Sequence, residues 1–376
     1  MRIGIVTGEY PPMEGGIGAY SRMLASEMER QGQEVVVCTK SMRAADGVRV
    51  ATIVRHWGPG ALNAVRHYAE RERLDIINIQ FQTAAYAMSP WIHFLPDVVR
   101  HIPVVTTFHD LRFPYLFPKA GALRTWIVRH MARASDGVIV TNHEDARQLA
   151  GLPHSTLIPI GSNITAPLPP AFDAAEWRAR AGALPGDLLI AYFGFANRSK
   201  GINVLLDALA KLRDQGVPAR LTLIGGRTGA SDPTNAVHAD EVDEQIEALQ
   251  IKPFVSRTGF IEDNAVAAYL RAADVVALPF LDGASYRRGT LMAAIHHGCA
   301  IVTTEPSVEI ATFVNGENML LVPPGDSIAL AYALRRVYQS PALRERLRQG
   351  AAALAPQFSW TRIACDTLEF FQQLRQ

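Results

Sequence analysis

Residues 2–39 read RIGIVTGEYPPMEGGIGAYSRMLASEMERQGQEVVVCT. A short β-branched run (2–7) is followed by a longer amphipathic segment (20–31) and then by a second β-branched run (34–39). That succession is the strand–helix–strand unit of a parallel sheet. The rhythm continues outward, with a helix-like stretch at 60–73 and strands at 76–80, 104–108, 137–141 and 155–160. Residues 1–165 therefore read as one doubly wound α/β domain.

The text then turns loop-like and proline-rich around a short helix near 176–181, and residues 166–187 read as a linker because proline does not sit in a central strand. Beyond it the rhythm restarts, with strands at 188–193, 220–224, 255–258, 275–279 and 300–303 and helices at 202–215, 240–249, 265–272 and 290–297. Residues 188–356 read as a second doubly wound domain. The tail, 357–376, carries Ile363, Leu368, Phe370, Phe371 and Leu374, a helix that must bury one face. Open sheets of this kind take ligands at the C-terminal edges of their strands. The expected site is a cleft between two such edges.

A chain of 376 residues is long enough for two or three domains. With 48% apolar and 19% charged residues, disorder and a charged helical rod are both disfavoured. The formal charge is +1, so no global basic field exists to drive nucleic-acid binding, and any phosphate recognition must be local. Cys38, Cys299 and Cys365 are odd in number and far apart, in neither a disulfide framework nor a zinc pattern, which fits a reducing cytoplasm. The N-terminus does not read as a secretory signal. The longest apolar run, 275–281, falls far short of the ~20 residues that cross a bilayer.

Four segments can carry chemistry. The glycine-rich turn 9–20 lets a phosphate or sugar approach backbone N–H groups at a helix start, or is an ordinary strand-to-helix turn. It departs from a dinucleotide fingerprint, because prolines intervene and the second strand ends in Lys40 rather than an acid. Segment 193–202, FGFANRSKGI, sets Arg198 and Lys200 at a strand-to-helix turn, either a diphosphate clamp or a solvated loop. Segment 278–291, LPFLDGASYRRGTL, places Arg287 and Arg288 beside glycines, suited to an anion or to surface salt bridges. His109 ends a strand, where a ligand-facing or a structural histidine can stand.

In this order the segments resemble the retaining GT-B glycosyltransferases of the family 4 type. The resemblance runs through nearly the whole chain: GGIGAYSRMLASEMERQGQEVVV (15–37), TTFHD (106–110), RASDGVIVTN (133–142), IPIGSN (158–163), FGFANRSKGINVLLDAL (193–209), LTLIGG (221–226), TGFIED (258–263), YLRAADVVALPF (269–280), HGCAIVTT (297–304) and NGENMLLVPPGD (315–326). It implies two Rossmann-like domains around a cleft, an acceptor domain and then a donor domain, with the tail helix crossing back to the first. It implies a nucleoside-diphosphate sugar as donor substrate, with no metal and no cofactor. Gly15 and Gly16 would approach the donor, His109 would lie near the transferred sugar, Lys200 would hold the diphosphate, and Phe260 and Ile261 would meet the base. Ser285, Gly289 and Thr290 complete the donor-binding set.

The chain departs from the family at its paired glutamates. The second falls on Ala293, and Asp282, the only acid from 275 to 304, is the candidate for the first. The family arginine after Gly194 is replaced by Phe195. Either Arg198, Arg287 and Arg288 take over the phosphates, with His109 and Asp282 as the catalytic pair, or the chain is a degenerate scaffold that binds a sugar nucleotide or glycan. A phosphorylase or epimerase is the remoter alternative. The stretch 111–135 holds Arg112, Lys119, Arg124, Arg129 and Arg133 among aromatics and no acid, and reads as a helix packing Trp126, Ile127 and Met131 inward with a solvated basic face, or as a surface for anionic lipid. The expected partners are a carbohydrate or lipid-linked acceptor and a peripheral contact at the inner membrane face.

Overall fold

In the computed structural model, residues 1–376 are described except 14, 41–46, 112–121, 195–196, 227–232 and 376. The chain forms two compact units, Met1–Asn163 with Trp360–Gln376, and Ile164–Ser359.

The first unit runs β1 (Arg2–Thr7), α1 (Gly16–Arg30), β2 (Glu34–Thr39), β3 (Arg49–Thr52), α2 (Pro59–Arg71), β4 (Ile76–Phe81), α3 (Leu95–Val98), β5 (Val104–Phe108), α4 (Ala122–Ala134), β6 (Gly137–Val140), α5 (His143–Gln148) and β7 (Ser155–Leu157). Its sheet is all parallel, in the order β3-β2-β1-β4-β5-β6-β7. Strand alternation splits the apolar side chains between two faces. Val6, Ile77, Ile79, Phe81 and Phe108 join the core under α2 and α4, while Ile3, Ile5, Ile76 and Val105 join the core under α1. In α1, Ile17, Tyr20, Ser21, Leu24, Ala25 and Met28 recur at helical spacing and form the buried stripe.

The second unit runs α6 (Ala174–Arg180), β8 (Leu188–Phe193), α7 (Ile202–Asp214), β9 (Ala219–Ile224), α8 (Pro233–Ala248), β10 (Val255–Gly259), α9 (Asp263–Ala272), β11 (Val275–Leu278), α10 (Gly289–His296), β12 (Ile301–Thr304), β13 (Leu320–Val322), α11 (Ser327–Gln339) and α12 (Pro341–Leu354). Its parallel sheet has the order β10-β9-β8-β11-β12-β13. The last helix, α13 (Trp360–Gln373), belongs to the first unit. It buries Ile363, Ala364, Leu368 and Phe371 in the core that holds Tyr20, Leu24 and Met28 of α1. Trp360 Nε1 donates to the Ser162 carbonyl at 2.7 Å. Gly137 makes room for the helix, since a Cβ there would lie 2.5 Å from Leu374 Cδ1 and 2.9 Å from Phe370 Cε1.

Several elements differ from the sequence expectation. Helix α1 begins at Gly16 rather than 20, and α8 begins at Pro233 rather than 240, proline being at home in a first helical turn. The strand expected to reach 160 stops at Leu157. The edge strands β3 and β13 and the helices α11 and α12 were not anticipated; β3 is four residues with one buried, too short and too exposed for a clear period. The stretch 166–187 lies within the second unit, where Trp177 of α6 packs on Ala268 and Ala272 of α9 and Arg178 Nη1 donates to Asp274 Oδ2 at 2.7 Å.

Candidate functional site

Each sheet reverses its strand order once, between β1 and β4 in the first unit and between β8 and β11 in the second. Crevices at such reversals, beyond the C-terminal strand ends, are where open α/β sheets take ligands.

In the second unit, β8 runs into Gly194, which has φ +129°, a backbone that L side chains rarely adopt. A Cβ at Gly194 would lie 2.7 Å from Lys200 Nζ and 3.1 Å from Thr290 Cγ2, so the lysine amine and the Thr290 methyl close over the bare glycine. Asn197 Oδ1 accepts from Ser199 N and Ser199 Oγ, both at 2.9 Å, which shapes the single turn Arg198–Lys200 that presents the lysine. Gly201 (φ +69°) then brings this loop against the β11 loop: a Cβ there would stand 1.9 Å from the Pro279 carbonyl oxygen, and Leu281 N donates to the Ser199 carbonyl at 2.9 Å. The β9 loop joins them through Gly225, whose Cβ would be 3.8 Å from the Gly194 carbonyl.

The β11 loop carries the other cations. Arg287 Nη2 donates to Asp282 Oδ2 at 3.1 Å and Arg288 Nη2 to Asp282 Oδ1, so one carboxylate serves two guanidinium groups. The Arg288 guanidinium also lies 4.7 Å from the Phe280 ring centroid. Arg288 is the N-cap of α10, so the positive end of that helix adds to the same field. Burial, and secondarily the Arg288 charge, push the Lys200 amine down to about 8. Ser285 is fully buried, and Gly289 and Thr290 open α10.

Arg198 is placed differently from the sequence expectation of a clamp with Lys200. Its Nη2 donates to Glu241 of α8, which also takes His238 Nδ1 at 2.9 Å, and its side chain is 73% exposed. Phe260 and Ile261 follow β10 after Gly259 (φ +68°), and the Phe260 side chain is 83% exposed. Phe195, Arg112 and Lys119 lie outside the described residues.

In the first unit the glycine loop holds an acid. A Cβ at Gly15 would be 2.0 Å from Glu9 Oε2, so the Glu9 carboxyl folds over the N-cap glycine of α1, while nothing lies within 4 Å of a Cβ at Gly16. Glu9 accepts from the Gly18 N–H, and burial raises it above the ordinary carboxylate range against the opposing pull of Lys40. His109 follows β5 as a buried ring, 4.5 Å edge-on from Tyr20, with Nε2 2.8 Å from Gln80 Oε1. Burial lowers it to about 3, so it is neutral at physiological pH. Gln80 in turn reaches Asn78. Glu9, Asn78 and Gln80 were not singled out from sequence. The signal was there for the amides, two polar residues at period two inside the otherwise apolar strand IINIQF.

Two parallel, doubly wound units with ligand edges built from such loops define a GT-B protein. Structures of this class superpose on the whole chain: sucrose-phosphate synthase from Thermosynechococcus elongatus (TM-score 0.77, 21% identity, 99% of this chain and 98% of that one) and Anabaena HepE in complex with UDP and glucose (TM-score 0.77, 18% identity, 99% and 100%). Residues 187–340 match the model of the glycosyl transferases group 1, and residues 15–159 that of the glycosyl transferase 4-like domain. The chain belongs to this family and is a glycosyltransferase. Among its relatives are phosphatidyl-myo-inositol mannosyltransferase of Mycobacterium leprae, 23% identical over 391 aligned residues covering 99% of this chain and 96% of that protein, and D-inositol 3-phosphate glycosyltransferase of Actinosynnema mirum, 26% identical over 422, covering 100% and 97%.

Proposed function

We propose that this chain moves a sugar from a nucleoside-diphosphate sugar to the hydroxyl of a glycan, lipid-linked or small-molecule acceptor, with retention and without a metal. The observation that carries the reading is the gathering of Lys200, Arg287, Arg288 and the start of α10 at the strand-order reversal of the second sheet. As the glycosidic bond breaks, negative charge grows on the departing diphosphate, and fixed cations in a partly buried setting stabilise that charge more than the ground state. Asp282 holds the two guanidinium groups at a set spacing, so its contribution is to aim cations. The exposed Phe260 ring offers a flat apolar surface for the base. His109 acts on the transferred sugar as a neutral hydrogen-bonding ring.

Thermal stabilisation by a panel of nucleoside diphosphates, with Lys200→Ala as control, tests the donor site. Stabilisation by one base, lost in the variant, supports it; no stabilisation by any of them overturns it and favours a scaffold. Turnover unchanged by a chelator supports metal independence.

A lipid-linked acceptor is favoured by one further observation. Of the residues expected to pack inward from α4, Met131 and Ile127 do so but Trp126 does not: Trp91, Leu123 and Trp126 are 43%, 60% and 49% exposed, and α4 also exposes Arg129 and Arg133. No helix among the described residues is long and apolar enough to cross a membrane. Exposed tryptophans beside arginines suit an anionic lipid surface. Failure of the protein to pellet with anionic vesicles overturns membrane contact without touching the donor site.

A further inference from the structure

Strand β4 buries two amides, Asn78 and Gln80, completely. Two residues apart, they share one face of the sheet, and they pair in register with Val105 and Thr107 of β5. Buried polar groups persist where they are hydrogen-bonded, and here the bonds form one line. Asn78 Nδ2 donates to the Val105 carbonyl at 3.2 Å and to Thr107 Oγ1 at 2.9 Å. Gln80 Nε2 donates to Asn78 Oδ1, and Gln80 Oε1 stands 2.8 Å from His109 Nε2.

The first member fixes the direction of every bond that follows. A backbone carbonyl can only accept, so Asn78 must turn its NH2 toward Val105 and its oxygen toward Gln80. Gln80 must then turn its NH2 toward Asn78 and its oxygen toward the histidine. An amide oxygen cannot donate, so the ring nitrogen facing it must carry the proton. We propose that Asn78 and Gln80 are positioning residues that lock His109 in its Nε2–H tautomer and leave Nδ1, with its lone pair, to accept a hydrogen bond from a sugar hydroxyl. Flipping either amide would set like groups face to face in a buried site.

The ring's aromatic neighbours suit a neutral histidine. Tyr20 meets it edge-on, its phenol pushed above the ordinary range by burial; Trp360 lies beyond Tyr20 at 5.1 Å; and Asp110 is next in the chain. A neutral ring adds no positive charge beside an anomeric carbon that is itself becoming positive, whereas an imidazolium would oppose the reaction. That consequence rests on the glycosyl-transfer reading; the tautomer does not.

Ring-nitrogen NMR of the full chain labelled with 15N-histidine tests the lock, with His109→Phe to assign the signal. The expected spectrum shows a pyrrole-type Nε2, a pyridine-type Nδ1 and no titration across the near-neutral range. Gln80→Met should mix the tautomers and lower kcat about tenfold, the low end of the range seen when the hydrogen-bond partner that orients a metal-ligating histidine is removed, with nucleoside-diphosphate Kd unchanged. Gln80→Glu sets a carboxylate on Nε2–H and draws a second proton onto the ring, so its kcat should fall on the acid side of a new near-neutral ionisation. An Nδ1–H ring in the parent, ordinary histidine titration, or an unmixed tautomer in Gln80→Met overturns the lock. Expected spectra with unchanged kcat in both variants leave the lock standing and overturn its role in catalysis.

Discussion

Two bare glycines, Gly15 and Gly194, each follow a strand at the reversal of their sheet, and each is covered by a charged side chain of its own loop. In the first unit the cover is the Glu9 carboxyl; in the second it is the Lys200 amine. The difference teaches that the same architecture can set opposite charges over its two glycines: a carboxyl at one edge, and at the other an amine beside two arginines that share one carboxylate. The Glu9 carboxyl already takes the Gly18 N–H in the first turn of α1, one of the donors that would otherwise attract phosphate. The amine near α10 adds to a field of two guanidinium groups that share the single carboxylate of Asp282. On the proposed reading, donor phosphate chemistry belongs to the second loop, and the first is suited to hydroxyls, from which a carboxylate accepts.

Removing the amine should break this contrast most severely. Lys200→Ala is expected to lower turnover by about 10²-fold or more, the order seen when one preorganised transition-state donor is lost, and to abolish thermal stabilisation by nucleoside diphosphate. Steady-state kinetics beside a melting assay checks both.

Raising the pH should blur the contrast next. With Lys200 at about 8, each pH unit above that value removes about tenfold of the cationic form, so diphosphate affinity should weaken by up to that factor per unit in a calorimetric titration. The sign for folding is opposite. The folded pKa is depressed, the unfolded chain binds more protons between about 8 and the ordinary lysine value of 10.5, and Lys200 therefore contributes a stability that rises with pH through that window. Ligand binding falling while unliganded stability gains is a signature that a general alkaline loss of structure would not give.

Adding a methyl to each glycine compares the two loops directly. Gly194→Ala forces an L residue to φ +129° and pushes into Lys200, and should cost about 1–3 kcal/mol along with diphosphate affinity. Gly15→Ala meets only the movable end of Glu9 on extended backbone, and should cost under about 1 kcal/mol. Equal losses in chemical denaturation would remove the asymmetry.

The smallest effect is expected from Glu9→Gln. Burial raises the folded pKa of Glu9, so its charge disfavours folding above that pKa. The amide should raise the melting temperature slightly at neutral pH, the gain should vanish in acid where the parent is protonated, and diphosphate affinity should stay within about twofold.

Much of the fold was legible because parallel strands buried on both faces are nearly continuous β-branched runs. The bounds of β1, β2, β5 and β8 coincide with those read from sequence. Edge strands such as β3 face water and lose that signal. The cations of the second loop stood out as arginines and a lysine among glycines, but their arrangement did not. Nothing local says that Asp282 holds both arginines, or that Arg198 turns to Glu241, 43 positions away. Asn78 and Gln80 were overlooked because a strand rich in isoleucine invites reading for burial alone. Burial is what makes their bonds directional.

The packing of α13 also sets an order of assembly. Residues 360–373 cover a face of the first sheet, yet they emerge from the ribosome after the whole of the second unit has been made. The uninterrupted segment 164–359 can close its core during synthesis, while the earlier-born sheet waits with Tyr20, Leu24 and Met28 uncovered. Of the two units, the one translated earlier is completed later.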